Sequence, residues 1–177
     1  MKRKVLCLIL GSICLSGLAS CQEKETVYTV EKRDFYYSID NGATYGNERF
    51  ELEVGQTVLM KVLVTVTTNK NEKEMINGSL TIPNINAIDA YYIRGKKITP
   101  TTDAINNITT YPFTISTNED WTFIFEFQPA SEARVQMLLD FEEPIPEIYD
   151  GIYTIKFVNP VQSDSKGSSE QEASSND

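Results

Sequence analysis

The chain has 177 residues, with 16 basic and 25 acidic side chains, a formal net charge of −9 and no histidine. A surface this acidic repels nucleic acid. Without imidazole there is no Ser-His-Asp arrangement and no His-ligated zinc, copper or iron.

Lys2, Arg3 and Lys4 make a cationic start, and residues 5–18 follow as an uncharged apolar run. That is the length of the apolar region of a secretory signal. A membrane-spanning helix needs about 20 apolar residues, and Glu23-Lys24-Glu25 arrives too early for one. The run closes on Leu18-Ala19-Ser20-Cys21, which resembles the lipobox of bacterial membrane lipoproteins. The resemblance implies a signal peptide over 1–20 and a diacylglyceryl group on the Cys21 sulfur. It also implies a short tether over 21–25 and a location on the extracytoplasmic side of the cell membrane. Gln22 rather than Asp at the next position implies outer-membrane sorting in a two-membrane bacterium; in a one-membrane bacterium the anchor is the outer leaflet of the plasma membrane.

On that reading Cys7 and Cys14 leave with the signal and Cys21 is acylated, so the folded part has no thiol. A disulfide, a cysteine-ligated metal and a cysteine nucleophile are then all excluded. Loss of Lys2, Arg3 and Lys4 leaves 13 basic against 25 acidic residues, a net charge of −12. Such a domain adds no electrostatic attraction to anionic lipid. About 157 residues remain, which is one domain with a real core.

From residue 26 onward the hydrophobic period is two, as in half-buried strands. Weak strands are expected at 27–30 and 35–39, before an Asp40-Asn41-Gly42 turn. Phe50, Leu52 and Val54 alternate with Glu51 and Glu53, and Gly55-Gln56 reads as a bend where the chain changes partner. Val58, Met60, Val62, Val64 and Val66 form the clearest stripe; Leu59 and Leu63 on its other face predict a central strand covered on both sides. A turn at 69–71, one at Asn77-Gly78, weak strands at 79–82 and 88–93, and an Arg94-Gly95 turn follow. A turn or two of helix fits 102–108 or 131–134. Trp121, Phe123, Phe125 and Phe127 make another stripe, then a turn at 129–131. Val135, Met137, Leu139 and Phe141 make the next, and Tyr153, Ile155 and Phe157 the last, after Asp150-Gly151. Residues 162–177 are Ser-rich and acidic without an aromatic, which predicts a disordered tail.

Eight or so strands with short turns predict an all-β fold, a single antiparallel β-sandwich over 26–161. The 50–66 stretch and the closing Asp150-Gly-Ile-Tyr-Thr-Ile-Lys-Phe157 resemble the early and last strands of bacterial Ig-like surface domains, which implies an Ig-like order.

Four features are candidates for chemistry. Asp140, Glu142, Glu143, Glu147 and Asp150, spaced by Pro144 and Pro146, could offer oxygen ligands to calcium or a carboxylate pair for glycoside hydrolysis, but they match no calcium-loop spacing and read first as a solvated loop. Tyr36-Tyr37 and Tyr91-Tyr92 each put one ring on either side of a strand, which leaves Tyr36 and Tyr91 as candidate contact residues for protein or sugar. Adjacent tyrosines are also ordinary strand formers, and Trp121 reads as core more than as a sugar platform. Arg94-Gly95-Lys96-Lys97 is a basic cluster in a turn, and Asn77 and Asn107 head glycosylation triplets that mean little in a bacterial lipoprotein.

The expected function is therefore a lipid-anchored, non-enzymatic binding or interaction module at the cell envelope, with no cofactor. Its partners would be the membrane, through the lipid, and an envelope protein or glycan. A small-ligand or carbohydrate receptor is the alternative, and a carboxylate-based hydrolase the third.

Overall fold

A computed structural model of the chain describes residues 25–47, 51–92, 94–146 and 151–161. The signal peptide, Cys21, Phe50, Ile93, Glu147, Asp150 and the acidic tail lie outside the described residues. Eleven strands are described: β1 (Tyr28–Ser38), β2 (Glu51–Glu53), β3 (Val58–Thr68), β4 (Met75–Pro83), β5 (Ile85–Tyr92), β6 (Lys97–Ile98), β7 (Thr101–Asp103), β8 (Ile108–Ser116), β9 (Glu119–Pro129), β10 (Ala133–Phe141) and β11 (Gly151–Val158). They form two facing sheets, β1-β3-β9-β5-β6 and β2-β11-β10-β4-β8-β7, called A and B below. Neighbours run antiparallel except β2, which lies parallel to β11. The protein is an all-β sandwich, without helix among the described residues.

The alternation that marks the strands also fills the core. Val58, Met60, Val62, Val64 and Val66 of β3 are fully buried, as are Phe123, Phe125 and Phe127 of β9. Val135, Met137, Leu139 and Phe141 of β10 and Ile155 and Phe157 of β11 meet them from sheet B. Rings pack at Tyr111–Phe125 (5.0 Å) and Phe113–Phe123 (4.7 Å) across the layers. The buried Tyr111 hydroxyl donates to the Glu126 carbonyl at 3.2 Å, so the ring is buried without an orphaned polar atom.

Four expectations need correction. Asn77-Gly78 is no turn: it lies inside β4, where a Cβ on Gly78 would sit 2.6 Å from the Phe113 ring and 2.7 Å from the Asp140 carbonyl oxygen. The glycine makes room for a ring rather than bending the chain. Residues 102–108 are a β7–β8 hairpin and not helix: the Asp103 carboxylate accepts from the Ile105 and Asn106 amides (3.0 and 3.3 Å), and Asn107 takes φ +51°. Residues 131–134 are a bend running into β10. The weak pieces at 27–30 and 35–39 are one strand, β1, bulged between Val30 and Lys32.

The chain changes sheet at Asn84, the one residue between β4 and β5. Its backbone is left-handed (φ +59°), its amide donates to the Asn107 carbonyl (2.7 Å), and its own carbonyl accepts the Ala130 amide (3.0 Å). The side-chain Nδ2 donates to the Ser131 carbonyl, and Oδ1 accepts from Asn107 Nδ2 and Ser131 Oγ, all at 2.9 Å. One asparagine thus locks three connections at one end of the sandwich.

Candidate functional site

The outer face of sheet A gathers the two tyrosines singled out from sequence. Tyr36 on β1 stands opposite Lys61 on β3, Lys61 opposite Ile124 on β9, Ile124 opposite Tyr91 on β5, and Tyr91 opposite Lys97 on β6. Tyr36, Lys61, Ile124 and Tyr91 are all half-buried. Strands lie about 4.8 Å apart, so three gaps separate Tyr36 from Tyr91 by roughly 14 Å. The adjacent row runs Ser38, Leu59, Glu126, Asp89, and Leu63 flanks the other side.

Lys61 sits between two rings, its Nζ 4.2 Å from the Tyr45 centroid and 5.4 Å from that of Tyr36. No carboxylate pairs with it among the described residues, so the rings are its stabilising contacts. Tyr45 is held there by its loop. Asp40 accepts from Ser38 Oγ (2.6 Å), the Thr44 amide (3.0 Å) and Thr44 Oγ1 (2.5 Å), and Tyr37 and Gly46 exchange backbone bonds at 2.7 and 3.0 Å. These donors hold the Asp40 carboxyl well below the usual carboxylate range. At the far end of the row, Asp89 accepts from the Tyr91 hydroxyl (3.0 Å) and pairs with Lys97 (2.8 Å). Lys97 holds the Asp89 carboxyl low, and the bond to Asp89 pushes the Tyr91 phenol up.

Tyr45, Lys61 and Ile124 were not legible as site residues. Lys61 shows only as one polar position on a strand, and Tyr45 lies in a segment without periodicity. Tyr37 and Tyr92 turn to the core side, where burial raises the Tyr37 phenol and the Tyr92 hydroxyl accepts the Thr114 amide at 3.1 Å. Trp121 is half-buried: its indole N–H donates to the Ser116 carbonyl (3.1 Å) and the Arg94 guanidinium lies 5.3 Å from its ring. The other cations of the Arg94-Gly95-Lys96-Lys97 turn are divided between Tyr92, under Lys96 (6.0 Å), and Asp89, with Lys97.

Glu142 of the acidic loop accepts from Asn77 Nδ2 (3.1 Å), Glu143 is exposed, and Asp140 lies on β10 opposite Ser79. Among the described residues no three acidic side chains converge as a metal site. Asp89 and Glu126 are cross-strand partners on sheet A, and Lys97 holds the Asp89 carboxyl low. A cleft of about 340 Å³ opens between β1 and β11, lined by Arg33, Phe35, Tyr36, Tyr37, Ile152 and Tyr153, with the Phe35 and Tyr153 rings 3.8 Å apart.

No protein-family model matches the chain, and no curated protein matches it. Among solved structures it is similar to AvmM, described as catalysing macrocyclization in alchivemycin A biosynthesis. Identity is 10%, coverage is 77% of this chain and 98% of that one, and the TM-score is 0.46. That neighbour is a catalyst, against the expectation of a non-enzymatic domain, and its catalysis is its own. At that distance the likeness assigns no reaction, substrate or residue to this chain.

Proposed function

We propose that the chain is a lipid-anchored protein of the bacterial cell envelope. Its sandwich binds an envelope protein or glycan through the outer face of sheet A. The observation that carries the reading is the cross-strand row Tyr36, Lys61, Ile124 and Tyr91, with Tyr45 closing over Lys61. Half-buried tyrosines combine a rigid apolar face with a hydroxyl, the combination common at binding hot spots. The lipobox resemblance supplies the anchor and the extracytoplasmic location, and two or more acyl chains hold such an anchor stably. An Ig-like arrangement is supported by the parallel pair of β2 with β11, which joins an early strand to the last one.

The test is binding of the purified domain to an immobilised envelope fraction. Replacing Tyr36 and Tyr91 together by alanine removes two anchors of about 2 kcal/mol each if both are hot spots. Binding should fall by roughly two to three orders of magnitude with the fold intact. Unchanged binding by the double variant refutes the face.

The β1–β11 cleft favours a second reading, a small-ligand or carbohydrate receptor, because its volume is that of a small-molecule site and aromatic rings line it. Capture of a neutral oligosaccharide that Tyr153→Ala abolishes and Tyr91→Ala leaves untouched would select this reading over the first.

A further inference from the structure

We propose that the end of the sandwich where β1 begins is the membrane-facing end, resting on the lipid surface that holds Cys21. This rests on the lipoprotein reading and adds to it which way the domain stands.

The registers place the ends. β1 starts beside the end of β3 (Tyr28 opposite Thr68), and the β8–β9 turn lies there too, with Glu119 opposite Val66. Met75 at the head of β4 faces Ser116, and the β5–β6 turn follows Tyr92, which lies opposite Phe123. The Asn84 corner, the turns at 104–107 and 130–132 and the exit of β11 lie at the other end. Asn159 beyond β11 donates to Glu132 at 2.8 Å, so the chain continues toward 162–177 from the end opposite the anchor.

The entry point is fixed. Asn69 Nδ2 donates to the Glu25 carbonyl (2.9 Å), the Val27 amide to Asn69 Oδ1 (3.1 Å), and the Asn69 amide to the Val27 carbonyl (3.3 Å). From Cys21 to Glu25 the chain reaches at most about 14 Å, four residues at roughly 3.6 Å each. The far end of an 11-residue strand stands roughly 36 Å away, so it meets the bilayer only if the domain lies on its side.

Ile105 (94%) and Val161 (92%) are exposed at the far end, so exposed apolar surface does not distinguish it from the near end, with Val27 55% and Met75 68% exposed. The near end's cations are largely matched by acids: Lys70 pairs with Glu74, and Lys73 and Arg94 with Glu119. The orientation is therefore set by the short tether, and not by attraction to anionic lipid.

The experiment uses the lipidated full mature protein in phosphatidylcholine vesicles containing a head-group quencher. With Cys21 acylated, a single introduced thiol takes the fluorophore: Met75→Cys or Lys96→Cys near the anchor, Ala104→Cys at the far end. Quenching at both near-end sites should exceed that at residue 104 several-fold. Equal quenching at all three sites, with acylation of Cys21 verified by intact mass, overturns the orientation and leaves the anchor standing. A wild-type protein without the acyl mass overturns both.

Discussion

Asn84 offers the sharpest test of how this fold is held. Its replacement by alanine removes three side-chain hydrogen bonds of 2.9 Å and puts a Cβ-bearing residue without a compensating side chain at φ +59°. Each bond contributes about 0.5–1.5 kcal/mol, with these exposed ones at the low end. The left-handed backbone costs an ordinary residue about 1–2 kcal/mol. Asn84→Ala should therefore lose about 3 kcal/mol by the sum of those two ranges. Asn84→Gly loses the same bonds but not the backbone strain, so it should retain about 1 kcal/mol more than the alanine variant. Urea unfolding of the three proteins, with equal m-values, measures both differences. An alanine variant as stable as the glycine one refutes the backbone argument. Wild-type stability in both refutes the corner.

Gly78→Ala should destabilise by about 1–3 kcal/mol through overpacking, because its Cβ meets the Phe113 ring and the Asp140 carbonyl below 3 Å; thermal unfolding reads it. The depressed Asp40 carboxyl contributes stability that is complete above the ordinary carboxylate range and is lost as pH falls through its lowered folded value. Asp40→Asn should therefore flatten the acid side of the stability-against-pH curve, and an unchanged acid limb would contradict the loop geometry. Tyr28, its phenol raised to about 12 by burial and by Glu74, the half-buried Tyr37 and the buried Tyr111 titrate oppositely. Their contribution is full below the ordinary phenol range near 10 and is lost as pH rises toward 12 and beyond. A spectrophotometric titration should show these phenols ionising with unfolding, and reversible ionisation of every tyrosine near pH 10 in the folded protein would refute it.

The strands with strict alternation were legible because burial on one face imposes it: β3, β9 and β10 read directly from Val58, Phe123 and Val135 onward. Gly55-Gln56 was legible as a bend where the chain changes partner; the structure adds that the chain passes there from sheet B to sheet A, with Gly55 at φ +78°. The missed elements hide for physical reasons. β8 carries Pro112, tolerated because this stretch lies beyond short β7, and the neighbouring Thr114 amide on the same open side is taken by Tyr92. β1 is an edge strand whose run Glu31-Lys32-Arg33-Asp34 breaks the apolar stripe, as charges on an edge do. Tyr36 and Tyr91 could be named as outward rings, but their meeting on one row depends on the order β1-β3-β9-β5, which skips through the sequence. The Asp40-Asn41-Gly42 turn was legible, but the lysine between rings depends on where the following loop carries Tyr45, and no period announces that.

Everything about location and partner stems from the thiol at residue 21. Mass spectrometry of the protein extracted from its native membrane should show a chain beginning at Cys21 and carrying a diacylglyceryl group on that sulfur. A chain beginning at Met1 with a free thiol there, recovered from the soluble fraction, would contradict the account at its root.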